Sequence, residues 1–264
     1  MNDLQILFKN NALIKAKYDF TVAQNRVLQK SFYEIQKNKV NIAKISLDEM
    51  KQLIKNKDYN TIENIKLFLQ NLKDNEIMQI QSDGYWIKTS VISAYGYNKE
   101  KRIFFIEIPI TLLNLIHEYT KTGFTPTDVT KYISLGATNS QRFYELLRMW
   151  TGNKKIVEYT VAEIREYLNL QNKYKVFSDF RKRIIEPTVK ELSKKHLLEI
   201  YRVEYIKTGK SITSIRFYVN DLEPRQYKFK SKQDKVVNPL GFNNFTERSY
   251  DYNKLEKQLL GWEE

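Results

Sequence analysis

The chain contains an internal repeat, and this repeat constrains the fold more than any other feature. Ser46 to Glu49 and Thr160 to Glu163 both have the pattern of a helix capping box. In such a box a hydroxyl accepts from the backbone N–H three residues on, and the glutamate bonds back to the cap. Apolar residues at helical spacing follow each box. One capping box is weak evidence, but two in matching contexts indicate a duplicated domain.

The contexts of the two boxes match. Thr21 to Gln24 caps a helix before the first box, and a helix begins at Asn139 or Ser140 before the second. After a short polar break, a third helix follows each box, from Thr61 to Leu72 in the first half and from Lys175 to Lys194 in the second. Each half is therefore predicted to contain three successive helices.

Extended segments follow each third helix, bounded by turn residues. They are Ile77–Gln81, Tyr85–Ala94 and Ile103–Ile108 in the first half, and Leu198–Tyr205 and Ser211–Val219 in the second. The order helix, helix, helix, hairpin, used twice, is typical of winged helix-turn-helix domains. The predicted fold class is therefore α+β, with two tandem winged helix-turn-helix domains and a short C-terminal tail.

The same pattern predicts the domain organisation. The first domain spans 1–124, the second 125–222, and a basic tail with a short terminal helix spans 223–264. Pro109 suits the first turn of a connecting helix, Ile110 to Tyr119. The polar segment Lys121 to Asp128 is predicted to be the linker, because it contains glycine and proline between two periodic segments.

The net charge of +13 favours a polyanionic partner. Nucleic acid is the first candidate for this partner, and an anionic membrane surface is the second. The alternative is that the protein has no such partner and that its lysines only keep it in solution. The sequence has no cysteine, no signal-peptide pattern and no apolar segment long enough to span a bilayer. We therefore expect a cytoplasmic protein without a membrane partner.

The composition argues against common catalytic classes. The eight glycines are too far apart for a phosphate-binding loop, and the two histidines stand alone. An origin-nicking enzyme would need paired metal-binding histidines beside a nucleophilic tyrosine, and no His-x-His occurs. Nothing singles out a magnesium site among the 31 acidic residues. We therefore predict no catalytic residue, no metal and no cofactor.

The second-half third helix is the best candidate for reading DNA, since the helix before the wing enters the major groove in this class of fold. Phe177, Phe180, Ile184, Thr188 and Leu192 fall on one side of a helical wheel and are predicted to be buried. The opposite side is mostly cationic. Pro187 is expected to bend the helix or remove one backbone hydrogen bond.

The DNA-binding candidates of the second half lie on that cationic side and at the turn of the hairpin. They are Ser178, Lys182, Arg183, Lys190 and Lys194, with Lys207 and Lys210 in the turn. An arginine such as Arg183 can bond a guanine with two parallel hydrogen bonds, whereas lysines more often hold phosphates. A plain solvated charged face is the alternative.

The first-half third helix has a polar but nearly neutral outer face. Asn60, Asn64 and Asn71 are its candidates for reading adenine, and ordinary surface asparagines are the alternative. The second domain is therefore the predicted main reader of DNA, and the first is predicted to make auxiliary contacts.

The second half also resembles a known family. Asn139 to Trp150 is similar to the signature helix of the initiator Rep proteins of iteron-controlled, theta-replicating plasmids. The resemblance continues in Tyr159–Ile164, Lys173–Lys175, Phe177–Pro187 and Ser214–Phe217. It covers residues 130 to 222 closely and the first half more loosely, with several motifs in the right order.

This resemblance implies a plasmid replication initiator. Such a protein binds repeated origin sequences in double-stranded DNA, helps to open an adjacent AT-rich region and recruits the host initiator and helicase machinery. Its dimers repress their own gene, and the first domain carries much of the dimer contact. The resemblance also implies that the family's major-groove helix corresponds to Ser178–Lys194, with Pro187 part of the pattern. The alternative is that the protein is a winged-helix transcriptional regulator with no role at a replication origin.

Overall fold

The computed structural model describes residues 4–82, 84–120 and 123–222. The predicted basic tail lies outside this range. The elements of the first half are β1 (Ile6–Asn10), α1 (Asn11–Lys15), α2 (Val22–Asn38), β2 (Ile42–Ser46), α3 (Leu47–Ile54), a 3-10 turn (Lys57–Tyr59), α4 (Ile62–Asp74), β3 (Ile77–Ser82), β4 (Tyr85–Ser90), β5 (Ala94–Asn98), β6 (Ile103–Glu107) and α5 (Ile110–His117).

The second half repeats the order of three helices and a hairpin. Its elements are β7 (Phe124–Asp128), α6 (Val129–Ser134), α7 (Thr138–Thr151), β8 (Ile156–Thr160), α8 (Val161–Tyr167), α9 (Phe177–Phe180), a π-helical turn (Arg181–Ile185), α10 (Glu186–Lys194), β9 (Leu198–Thr208) and β10 (Ser211–Asp221). We call the continuous segment from α9 to α10 the third helix of the second domain. No helix of the described residues is long and apolar enough to cross a membrane.

A short strand precedes the second helix of each half, and the sequence analysis missed both strands. β2 ends at Ser46, the N-cap of α3, and β8 ends at Thr160, the N-cap of α8. β2 joins a sheet of order β2-β6-β5, and β8 joins one of order β8-β10-β9. The copies differ in their hairpins, because β9 and β10 belong to the sheet of β8, whereas β3 and β4 form a separate two-stranded ribbon.

The two predicted capping boxes form to different extents. At Thr160 both bonds are present: Glu163 N–H donates to the hydroxyl at 3.1 Å, and Thr160 N–H donates to the Glu163 carboxylate at 2.8 Å. Ser46 accepts from Glu49 N–H at 3.2 Å, but the Glu49 carboxylate instead pairs with Lys30 Nζ at 2.9 Å. The prediction of a complete box at Ser46 was wrong, because a buried ammonium from α2 takes the carboxylate that would have bonded back.

The predicted linker is wrong over its second part. Residues Phe124–Asp128 form β7, which pairs antiparallel with β1 at the start of the chain. Thr125 and Thr127 are buried there, and the Thr125 hydroxyl donates to Asn11 Oδ1 at 2.8 Å. Asp128 then caps α6 through hydrogen bonds from two backbone N–H groups. A segment that looks like a polar connection is therefore an internal strand.

Two hydrophobic clusters form the core, and they divide broadly between the halves. Ile14 of α1 packs in the second cluster, and Val129 of α6 packs in the first, so the ends of the halves interleave. Between the clusters, α2 and α7 present buried polar side chains to each other. Lys9 pairs there with Glu145 at 2.7 Å, and Arg26 donates to the Leu135 carbonyl at 2.8 Å.

Candidate nucleic-acid interface

The third helix of the second domain buries the side that its sequence pattern predicts. Phe180, Ile184, Thr188 and Leu192 are buried, and Phe177 is half-buried. Ile185 is buried as well, which the wheel did not predict. The apolar residues pack in the second core cluster, so the helix is held by one face and its other face is free to meet a partner.

Pro187 is accommodated by a local change of helix type. Its ring would clash with the carbonyl four residues earlier, and it has no N–H to donate. The chain solves both problems with the π-helical turn Arg181–Ile185, in which Glu186 N–H bonds the Arg181 carbonyl. Pro187 is the second residue of α10, which follows this turn directly. The sequence predicted that Pro187 would disturb the helix, and the disturbance that the structure shows is this π-helical turn.

The outer face of this helix presents a row of exposed cations. Lys182, Arg183, Lys190 and Lys194 are all exposed, as is Ser178 near the beginning of the helix. Among the described residues, no carboxylate lies within ion-pair distance of these four cations. Four unneutralised positive charges along one helix face raise the local potential and attract a polyanion.

Arg181 differs from these four cations, because it contacts other side chains of the protein. Its Nε lies 3.1 Å from Glu186 Oε1, and its guanidinium stands 5.7 Å from the centre of the Tyr205 ring. Burial is the main cause that raises the pKa of Tyr205. Arg181 therefore contacts both its own helix, through Glu186, and β9, through Tyr205.

The hairpin β9–β10 places two further candidates at its tip. Lys207 and Lys210 are exposed on either side of Gly209, whose φ of +63° closes the turn. Further along the hairpin, Arg216 pairs with Glu158 at 2.9 Å. The cations at the tip extend the positive surface beyond the helix in the manner of a wing.

In the first half the three candidate asparagines are partly engaged within the protein. Asn60 is exposed at the end of the 3-10 turn. Asn64 Nδ2 donates to the Asp58 carbonyl, and Asn71 Oδ1 accepts from Gln24 Nε2 at 3.2 Å. A bidentate contact to adenine uses both the oxygen and the nitrogen of an amide. Asn64 and Asn71 would therefore have to break these intramolecular hydrogen bonds before either could bind a base in this way.

The charges of α4 compensate one another. Lys66 pairs with Glu63 at 3.6 Å, and Lys73 pairs with Asp74 at 3.2 Å. The nearly neutral outer face that the sequence predicts is therefore the one that forms. The two third helices present surfaces of different electrostatic character.

The motif Asn139–Trp150 forms most of α7, whose side chains pack inside the protein. α7 buries its polar side chains from Ser140 to Arg148. Arg142 donates to the Ala16 carbonyl at 2.6 Å, and Arg148 donates to the Pro126 carbonyl at 2.7 Å. Sequence reasoning missed this role, because polar residues on a helix normally indicate a solvated face. Their density within one short motif was the available signal.

The family comparison agrees with this architecture. The model described as "Initiator Replication protein, WH1" matches residues 6–148, and the one described as "Initiator Rep protein, WH2" matches residues 160–219. The chain belongs to the initiator Rep protein family. Both winged-helix domains of that family are therefore present, and the first match runs through α7, beyond the predicted boundary at 124.

One solved structure shows the same fold. The Pi initiator protein, crystallised in complex with iteron DNA, aligns with a TM-score of 0.66 at 18% identity, over 84% of this chain and 100% of that one. Domains 2 and 3 of RctB align with a TM-score of 0.46 at 11% identity, over 79% of this chain and 86% of that one. No curated protein sequence matches the chain.

Proposed function

We propose that this initiator Rep protein binds repeated origin sequences in double-stranded DNA and starts replication of the plasmid that encodes it. The observation that carries the proposal is the row of exposed cations on the third helix of the second domain. These charges lack carboxylate partners within the described residues, in a chain of net charge +13. The Pi initiator, which shares the fold, was crystallised with iteron DNA, and this supports the same class of ligand.

The side chains divide into base-reading and phosphate-holding groups. We assign Arg183 to a guanine, because its planar fork can donate two parallel hydrogen bonds to one base edge. The lysines of the same face and of the hairpin tip hold phosphates, and Ser178 positions the beginning of the helix. These lysines are Lys182, Lys190, Lys194, Lys207 and Lys210.

The first domain has an auxiliary role in this proposal. Asn60 contributes a contact from the end of the 3-10 turn, and Asn64 and Asn71 contribute contacts from α4. These neutral side chains add to sequence preference more than to electrostatic attraction. The same domain carries the contact between two copies of the chain. A dimer with this arrangement represses its own gene.

Binding leads to initiation through other proteins. The bound initiator helps to open the adjacent AT-rich DNA and recruits the host initiator and helicase machinery in the bacterial cytoplasm. The protein itself performs no covalent chemistry. Incubation with origin DNA and magnesium should therefore leave both strands intact, and a covalent tyrosyl–DNA adduct would show that it is an enzyme.

Disruption of the gene separates an initiator from a transcriptional regulator. A stop codon early in the gene should abolish replication of its plasmid in a host with no other source of the protein, and supplying the protein from a second replicon should restore it. A control plasmid carries a synonymous change at the same early codon, which alters the DNA but not the protein. Normal replication of the disrupted plasmid would leave regulation of transcription as the function.

A further inference from the structure

One side chain holds the segment that joins α8 to the third helix of the second domain. We call this segment, residues 168–176, the connecting turn. Arg165 of α8 donates hydrogen bonds to three successive carbonyls of the turn. Its Nη1 donates to Lys173 at 3.2 Å, and its Nη2 donates to Tyr174 at 2.7 Å and to Lys175 at 3.3 Å. Within the described ranges no other side chain bonds the backbone of these three residues, so the turn depends on Arg165 for its position against α8.

The same guanidinium also contacts the third helix itself. Arg165 Cζ stands 4.8 Å from the centre of the Phe180 ring. Phe180 is fully buried in the second core cluster. A guanidinium over an aromatic ring combines cation–π attraction with stacking of two flat groups. One side chain of α8 therefore contacts both the connecting turn and the helix that follows it.

The beginning of this third helix has no side-chain cap. Val176 is its N-cap residue, and no side chain accepts from the free N–H groups of its first turn. In the first half, by contrast, Thr61 caps α4 by accepting from Asn64 N–H at 3.2 Å. A side-chain cap helps to fix the residue at which a helix begins. In the second domain the connecting turn, held by Arg165, takes over this role.

The backbone of the connecting turn needs an external anchor. Tyr174 has a φ of +54°, in the left-handed region that residues with a side chain seldom adopt. Such a conformation persists where surrounding contacts impose it. The shortest of the three bonds from Arg165 is the one to the Tyr174 carbonyl. Loss of Arg165 should therefore let the turn relax and the start of the third helix shift with it.

The duplicated unit in the first half has no equivalent of this clamp. Arg165 stands five residues after the N-cap Thr160, and the residue five positions after the N-cap Ser46 is Lys51. The Lys51 ammonium makes no hydrogen bond or ion pair with any residue that the structure describes. The clamp therefore belongs to the domain whose third helix carries the row of exposed cations.

We propose that Arg165 is a positioning residue, which sets the third helix of the second domain where Arg183 can read a base. The inference rests on the proposed function and adds to it a residue that acts through the connecting turn and Phe180. Two parallel hydrogen bonds to one base edge tolerate little displacement of the helix that carries them. Lysines on flexible stems still reach phosphates after such a shift. Loss of Arg165 should therefore weaken binding to the correct sequence more than binding to random DNA.

Two variants in the full chain separate the shape of the guanidinium from its charge. Arg165→Lys keeps the positive charge but replaces the planar fork by a compact ammonium, and Arg165→Met removes the charge as well. Lys51→Met is the matched control, because it removes a cation at the corresponding position of the first domain. Both changes at Arg165 should lower the melting temperature, so the assay is run at a temperature at which circular dichroism shows every variant folded. Arg165→Lys is the milder change and decides the test if Arg165→Met does not fold.

Affinity is measured by fluorescence anisotropy on a duplex from the plasmid origin and on a random duplex of equal length. The ratio of the two affinities should fall by about tenfold in each variant at Arg165, which is the discrimination that one bidentate base contact supplies. Lys51→Met should keep the wild-type ratio. If the variants at Arg165 lose affinity equally on both duplexes, Arg165 contributes only stability or charge, and the inference is wrong.

A double-mutant cycle with Arg183→Ala adds a readout that a purely structural role would not change. In the Arg165→Lys background, Arg183→Ala should reduce origin affinity by a much smaller factor than in the wild type, because the base contact is already lost. Equal factors in the two backgrounds would show that Arg183 does not depend on Arg165 and would overturn the inference. A wild type that binds both duplexes equally would refute the proposed function, and this inference with it.

Discussion

The buried ion pair between Lys9 and Glu145 offers a quantitative test of how the halves are held together. Lys9 Nζ lies 2.7 Å from Glu145 Oε1, and the two side chains are 5% and 0% exposed. The ammonium also donates to Gln29 Oε1 at 3.4 Å and stands 5.9 Å from the centre of the Tyr132 ring. The pair joins the first strand of the chain to α7, so it links the two halves directly.

Replacing one residue of the pair should lower the free energy of unfolding far more than replacing both. Lys9→Met leaves a buried carboxylate without a counter-charge, and Glu145→Met leaves a buried ammonium in the same state. Each should lower the free energy of unfolding by about 3–5 kcal/mol. The double variant replaces the pair by apolar groups of similar size and should cost less than either single change, because no uncompensated charge remains.

An exposed pair of similar geometry gives the control. Lys17 Nζ and Glu166 Oε1 also join the two halves, at 2.6 Å, but the side chains are 26% and 45% exposed. Breaking this pair should cost at most about 1 kcal/mol, since water solvates the remaining charge. The two pairs have similar distances and differ in exposure, so the difference between their effects on stability measures the contribution of burial.

The assay is urea denaturation followed by circular dichroism and by tryptophan fluorescence. Coincident transitions from the two probes would justify a single free energy of unfolding for each variant. A double-mutant cycle then gives the coupling between Lys9 and Glu145. If the double variant loses the sum of the two single losses, the side chains act independently and the argument from buried charge is wrong.

Three further predictions concern the DNA-binding face and the core. Arg183→Ala should weaken binding to the origin repeat by about 1–3 kcal/mol and relax the preference at one base position, as measured by competition with single-base variants. An equal loss on random DNA would refute its assignment to a base. Lys190→Ala should weaken binding to every sequence similarly and reduce the salt slope by about one, and an unchanged slope would remove it from the phosphate contacts. Tyr159→Phe should destabilise the fold by about 1–3 kcal/mol without changing sequence preference, because its hydroxyl donates to the Leu146 carbonyl and accepts from Trp150 Nε1, both at 2.8 Å. A melting temperature equal to that of the wild type would contradict that prediction.

Periodicity and capping chemistry predicted the three main helices of each half, but not the short helices α1 and α6. Thr21 and Thr160 cap their helices as their local sequences indicate. The buried side of the second-domain third helix also follows from a helical wheel, since Phe180, Ile184 and Leu192 repeat at the spacing of one face. These features depend on residues that are close in sequence, and local reasoning is adequate for them.

Features that depend on distant residues could not be predicted in this way. β7 pairs with β1 at the other end of the first half, and its threonines are polar enough to look like a loop. Glu49 leaves its capping box for Lys30, which lies on another helix. Arg142, Glu145 and Arg148 are buried, although their polarity predicts exposure. In each case a tertiary contact outweighs a local preference.

The candidate DNA-binding residues fall between these two cases. The exposure of Lys182, Arg183 and Lys190 could be predicted from the wheel, and the structure places them together on one face. The absence of a carboxylate within ion-pair distance of them among the described residues could not, because it depends on where distant elements pack. The proposed contacts with bases could not be predicted either, because they depend on the sequence of the DNA.

Footprinting of the purified protein on the DNA that flanks its own gene tests the central proposal most directly. The account predicts protection of a repeated sequence, with contacts in each repeat in two major-groove segments about one helical turn apart, one for each winged-helix domain. It also predicts that Arg183→Ala loses the contacts of one segment only. Protection of a single unrepeated site, or binding no stronger than to random DNA, would contradict the account.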